Sequence, residues 1–195
     1  MLSNKRQSDN KNSPHQDPPH RYPALSRPKI RAYSTPQLKH ATDSQLLQLY
    51  AAVMEELRER GVVRSSNNPV SDYAEKIIAA RLNLTLVRGS NRGFDAQDSN
   101  GTRYQIKARR NTRHNRSRQL GVIRDLDSKD FDYLLAGIFD ESFNLKELWK
   151  IPHERIKVHA RYGKHQNGHI LHLRGAVLKD HLVSSLLDSS RSVAP

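Results

Sequence analysis

Cysteine is absent from all 195 residues, so disulfides and thiolate metal sites are excluded and any metal must be held by oxygen or imidazole ligands. Long apolar runs are missing as well. No stretch approaches the roughly 18 residues of a spanning helix, and Met1 to Asp17 is polar where a secretory signal would be apolar. These absences predict a soluble, cytoplasmic protein with no membrane contact. Acidic residues are few, 20 against 33 Lys and Arg, and the net charge of +13 favours a polyanionic partner over an acidic small molecule. Eight basic and two acidic side chains fall within residues 1–42, so nearly half of that excess belongs to the amino-terminal segment.

What is present divides the chain unequally. Residues 1–41 are rich in Ser, Asn, Gln, His and Pro and too poor in apolar side chains to offset ordering entropy, which predicts a disordered basic tail. A single domain is expected over 42–188, with a flexible tail at 189–195. Thr42 and Gln45 have capping-box spacing ahead of Leu46, Tyr50, Val53 and Leu57, and Gly61 ends that helix. A second helix starts near Asp72, buries Ala74, Ile77, Ile78 and Leu82, and stops at Asn83. Strands are expected at 84–87, 94–98 and 102–109, with Asn100-Gly101 as the hairpin signal between the last two. Residues 109–128 lack periodicity and are predicted to form a long functional loop. Further strands are expected at 131–139, at 145–151 as its hairpin partner, and at 169–173, with a short closing helix through Leu182, Val183, Leu186 and Leu187. This succession describes an α/β domain with a mixed sheet.

The 94–109 hairpin carries the chemistry. Alternation puts Arg103, Gln105, Lys107 and Arg109 on one face and Tyr104, Ile106 and Ala108 on the other. A two-residue loop at Asn100-Gly101 would set Asp95 opposite Ile106, on the apolar side. A three-residue loop, Ser99-Asn100-Gly101 with Gly101 left-handed, instead sets Asp95 opposite Gln105 and Phe94 opposite Ile106, and this register is the one predicted. Asp95, the Gln105 side-chain oxygen and the Ile106 carbonyl then form a partial shell for Mg²⁺ or Mn²⁺, which prefer hard oxygen ligands. Lys107 points the same way, able to orient water and neutralise charge on a phosphate.

A helical acid at Glu75, Gly93-Phe94-Asp95, a turn, and Gln105-Ile106-Lys107 together resemble the PD-(D/E)XK nuclease superfamily, in the variant where glutamine replaces the second acid, as in Mrr-like restriction enzymes. The stretch 67–75 is also similar to a bacterial domain of unknown function from that superfamily, and the resemblance spans about residues 44–180. It implies a restriction-endonuclease-like core, a central mixed sheet flanked by helices. It also implies an Mg²⁺-dependent phosphodiesterase acting on DNA, with Asp95 and Gln105 as metal ligands, Lys107 as catalytic lysine and Glu75 as the acid on the first core helix. A homodimer is one arrangement by which such nucleases cut both strands. The chain departs from the pattern in lacking the proline before Asp95 and in the neutral Gln105. Glu75 has a second reading, since Asp72 and Glu75 also have the spacing of a capping box.

Between Ser99 and Arg124 there is no acidic residue, while Arg103, Arg109, Arg110, Arg113, Arg116 and Arg118 all fall there. Guanidinium forks match phosphate oxygens, so this stretch is the predicted nucleic-acid contact. Ten histidines do not make a metal site by themselves. His169 and His172, on one strand, would face opposite ways. A nucleic-acid-binding module without catalysis, and a regulatory protein with an incidental basic tail, are the rival readings.

Overall fold

Two amphipathic segments separated by a polar loop open the described part of the chain, and each becomes a helix that ends on a left-handed residue. The computed structural model describes residues 38–87 and 93–187. The chain divides into two units, 1–43 and 44–195. The expected tails, apart from residues 38–41, and the basic residues Arg88 and Arg92 lie outside the described residues.

Helix α1 spans Asp43–Glu59 and α2 spans Val70–Leu82. After α1, Gly61 takes φ +61°, letting its N–H reach the Arg58 carbonyl (2.9 Å) and that of Val62 reach Leu57 (2.8 Å). Asn83 does the same for α2 at φ 53°, with the Leu84 N–H on the Ala79 carbonyl at 2.8 Å. The start of α2 differs from the capping-box expectation. Asn68 Oδ1 accepts from the Val70 N–H (3.1 Å), while Asp72 lies inside the helix and accepts from the backbone N–H groups of Arg64 (2.7 Å) and Ser65 (3.3 Å). Asp72 therefore fastens the preceding loop rather than starting the helix. The apolar stripe of α1 also departs from expectation: Met54 is buried, but Leu46, Tyr50 and Val53 are exposed, because α1 packs extensively on no strand.

The sheet is mixed and six-stranded, in the order β1-β2-β3-β4-β5-β8, with strands at Thr85–Leu86, Ala96–Gln97, Arg103–Arg110, Tyr133–Phe139, Leu145–Pro152 and, last, Ser184–Ser185. Only β3 and β4 run parallel, so residues 111–132 must cross over the sheet to join them. Strand β4, Tyr-Leu-Leu-Ala-Gly-Ile-Phe, is buried on both faces, as its unbroken apolar run requires. Against one face α2 places Ala74 and Ile78 on Tyr104, Ile106, Leu135, Phe139 and Leu148. Gly137 permits this contact, since a Cβ there would lie 3.1 Å from Ile78 Cδ1. On the other face the crossover contributes Leu120, Ile123, Leu126 and Phe131 to a cluster with Leu134, Ala136, Ile138 and Ile151.

Three elements differ from the sequence expectation. A seven-residue helix, α3 at His153–His159, follows Pro152 and is too short for a helical period to show. The strand expected at 169–173 is β7, Gly168–Ile170, which pairs with β6, Arg161–Gly163, in a separate ribbon. The closing helix does not form. Residues 184 and 185 pair with Lys150 and Trp149, because the open edge of β5 offers backbone partners that a lone terminal turn lacks.

The crossover is tied down by Arg118, whose Nη1 and Nη2 meet the two carboxylate oxygens of Glu147 at 2.7 Å each, and whose Nε donates to the Leu173 carbonyl. Arg118→Ala would leave Glu147 without its bidentate partner and is expected to cost about 1–3 kcal/mol, read as a lowered urea midpoint with an unchanged slope.

Candidate active site

The turn between β2 and β3 fixes the register of everything that follows. Ala96 pairs with Tyr104 and Gln97 with Arg103, the Asp98 N–H donates to the Thr102 carbonyl (3.1 Å), and Gly101 has φ +81°. This is the three-residue Ser99-Asn100-Gly101 loop. The Asp98 carboxylate holds it by accepting from the N–H groups of Asn100 and Thr102, both at 2.9 Å, and from the Tyr104 hydroxyl at 3.1 Å.

That register brings Asp95 to Gln105. The Gln105 Nε2 donates to Asp95 Oδ2, which also accepts from the Ile106 N–H at 2.7 Å, while the Asp95 N–H reaches the Tyr104 carbonyl at 2.8 Å. Tyr104 and Ile106 are buried and Gln105 and Lys107 are half-buried, the alternation expected of β3. From α2, on the far side of this strand, Glu75 comes within electrostatic range of both Asp95 and Lys107. Burial first, and then the Asp95 charge, push the Glu75 carboxyl up to about 7, against the lowering pull of Arg64. Asp95 is likewise raised by burial, opposed by the Ile106 N–H, Lys107, Arg64 and Gln105.

Arg64 is the member of this group that sequence reasoning missed. Its guanidinium pairs with Glu75 and, at 3.3 Å, with Asp72, and Asp72 also holds its backbone N–H. Nothing in local spacing marks it, because the loop is folded onto α2 by tertiary contacts.

Over Gln105 and Lys107 lies a cleft of about 480 Å³ whose opposite wall is the crossover, with Val122, Arg124, Asp125, Ser128 and Asp130. The predicted basic residues split into two groups. Arg103 pairs with Asp132 (3.2 Å), Arg110 donates to the Glu141 carbonyl and lies 4.1 Å over the Phe143 ring, and Arg118 is held by Glu147. These three guanidiniums are engaged within the protein. Arg113 and Arg116 are exposed, Arg113 bonding only its neighbour His114, and Arg109 is half-buried with its Nε lacking a partner.

The donor set suits a hard cation. Two carboxylates, Asp95 and Glu75, are mutually repelling and partly desolvated, and a 180° turn of the Gln105 amide would present its oxygen where its nitrogen now sits. The Ile106 N–H is directed at Asp95, and the carbonyl of the same strand residue lies on the same edge. No group of three or more His, Cys, Asp or Glu side chains able to hold a metal occurs among the described residues.

The raised carboxyls carry a sign for stability. An acid whose folded pKa exceeds its unfolded value binds more protons when folded, so stability falls as pH rises through the ordinary carboxylate range towards about 7. Glu75→Gln is expected to remove roughly 1–2 kcal/mol of this decline once solvent screening is allowed for. The check is the difference between variant and parent urea midpoints at pH 5 and pH 7.5; identical differences at the two pH values would contradict the coupling.

No protein-family model matches the chain, and no curated protein matches it. No helix among the described residues is long and apolar enough to cross a membrane.

Proposed function

We propose that this chain is a metal-dependent nuclease of the PD-(D/E)XK type with glutamine in the second acidic position, hydrolysing phosphodiester bonds, with DNA as substrate. The observation that carries the reading is the single juxtaposition of the Asp95 carboxylate with the Gln105 amide, on the strand face that also bears Lys107, with the Glu75 carboxyl electrostatically coupled to both charges. An α/β architecture, with a mixed six-stranded sheet and three α-helices among the described residues, supports this reading.

Asp95, Gln105 and the Ile106 carbonyl would hold Mg²⁺ or Mn²⁺, with Glu75 behind them. Such an ion, when bound, polarises a phosphoryl oxygen and makes water a better nucleophile at neutral pH. The remaining work falls to the chain. Lys107 lines the cleft, where its ammonium would orient the attacking water and offset the negative charge that builds on the phosphate. A bond forms from the water oxygen to phosphorus as that water gives up a proton to solvent, and the phosphorus–oxygen bond of the leaving nucleotide breaks with its oxygen taking a proton from a solvent water. The exposed Arg113, Arg116 and Arg124 supply backbone contacts, so affinity should fall steeply with salt.

A second reading, a binding module that does not cleave, is favoured by one observation: among the described residues no third acid or histidine joins Asp95 and Glu75 in a group able to hold a metal, and Gln105 adds no charge. Purified protein with plasmid DNA and a short RNA duplex separates the two. Chelator-sensitive cleavage supports the nuclease, whereas salt-sensitive binding without cleavage under Mg²⁺ or Mn²⁺ supports the module.

A further inference from the structure

A second cleft, of about 720 Å³, opens at the start of β3 and β4 and the end of β5, walled by Arg103, Lys129, Tyr133, Lys150, His153 and Leu182. It adjoins the candidate active site. Phe131 lines both clefts, and Arg103 precedes Gln105 by two residues on the same strand face, about 6–7 Å along the strand.

Its chemistry is mixed in a particular way. Neither Lys129 nor Lys150 pairs with a carboxylate among the described residues, and Lys150 Nζ stands 3.9 Å from the centre of the Tyr133 ring. Arg103 is fixed by Asp132 and by the Lys129 carbonyl (3.2 Å), so it forms a rigid wall, while Glu154 at the rim leaves the lining with one excess positive charge. His153 is only 8% exposed, and its Nε2 is buried without a hydrogen-bond partner. Burial lowers its pKa, against the raising pull of a hydrogen bond with the Leu126 backbone. His153 thus contributes an unpartnered ring nitrogen, Nε2, to the wall of a site that otherwise offers cations and an aromatic ring.

We propose that this cleft is a nucleotide subsite. Its cations take the phosphate, Lys150 swings off the Tyr133 ring that it now covers so that this ring and the half-exposed Leu182 flank the base, and His153 Nε2 accepts a hydrogen bond from an N–H on the base edge. A simple anion would leave the His153 acceptor and the aromatic wall unused, and the cleft falls in the range of about 300–1,000 Å³ typical of small-ligand sites. Base stacking on an aromatic side chain is a common mode of holding an unpaired nucleotide. The inference rests on the nucleic-acid reading of the neighbouring site, and it places one unstacked nucleotide beside the phosphate to be cut.

The test is calorimetric titration of the full chain with dAMP, with dCMP and with inorganic phosphate, without divalent metal. Saturable nucleotide binding is expected, weakened at least tenfold in Lys150→Met and in His153→Phe. Phosphate binding should weaken in the first variant and not in the second. Near-ultraviolet circular dichroism confirms that each variant is folded, and the solvent-accessible Lys150 change keeps the test open should His153→Phe not fold. Nucleotide that competes with a single-stranded oligonucleotide identifies the substrate strand as the source of the ligand; binding without competition identifies free nucleotide. No saturable binding at millimolar concentration, or binding indifferent to both substitutions, overturns the proposal. A chain that binds nucleotide but cleaves nothing overturns the nuclease and leaves the subsite, and a chain that cleaves but binds no nucleotide does the reverse.

Discussion

Asp95→Ala is expected to lower metal-dependent cleavage by about 10³-fold or more, and Lys107→Ala by about 10²–10³-fold, for different reasons that a second measurement separates. Asp95 is the carboxylate on which the Gln105 amide and the Ile106 N–H converge, so its loss removes the proposed anionic ligand of the metal. Lys107 touches none of these groups and lies across the cleft from the crossover, where a Cβ on Gly121 would come 3.6 Å from its Cδ. Its removal should leave metal binding intact. Stabilisation by Mn²⁺, followed as a rise in melting temperature, should therefore vanish in Asp95→Ala and persist in Lys107→Ala. Parallel loss of both properties in the two variants would mean that Lys107 is structural.

Gly93→Ala is expected to cost about 2–4 kcal/mol and to cut cleavage at least tenfold, although residue 93 bears no side chain. Gly93 takes φ +106°, and a Cβ built on it would lie 2.0 Å from the Cβ of Asp130. The crossover wall is thus packed directly on the backbone two residues before Asp95. Adding one methyl must either push Asp130 and its partner Ser128 away from the cleft or shift the segment that leads into Asp95. Gly101→Ala provides the comparison, since φ is +81° there but nothing lies within 4 Å. That variant should lose only about 1 kcal/mol or slightly more, through strain alone. Equal losses in the two variants, measured by urea unfolding, would remove the close contact from the account.

The hairpin was legible in sequence because its determinants are local. Alternation along β3 and the turn signal select one loop length, and the observed pairing of Ala96 with Tyr104 is that register, but Phe94 packs with the crossover cluster and not against Ile106, which lies in the α2 cluster, because the chain leaves regular strand geometry before Ala96. The helices were legible for the same reason, through their periodicity and the left-handed stops at Gly61 and Asn83. What could not be read depends on residues distant in the chain. Arg103 and Arg118 belong to an unbroken basic stretch, yet Asp132 and Glu147, beyond its end, claim them once the sheet forms. Arg64 joins the site only because Asp72 folds its loop back on α2. The final strand is Ser184–Ser185 because the edge of β5 overrides the weak helical preference of residues 182–187.

Cleavage of plasmid DNA by the full chain, followed during a titration with Mn²⁺ beside Asp95→Ala, separates a metal-dependent nuclease from every other reading of this site. The account predicts cleavage that rises with metal, is abolished by chelator and is absent in the variant. Cleavage that survives chelator, or that proceeds equally well without the Asp95 carboxylate, would contradict it.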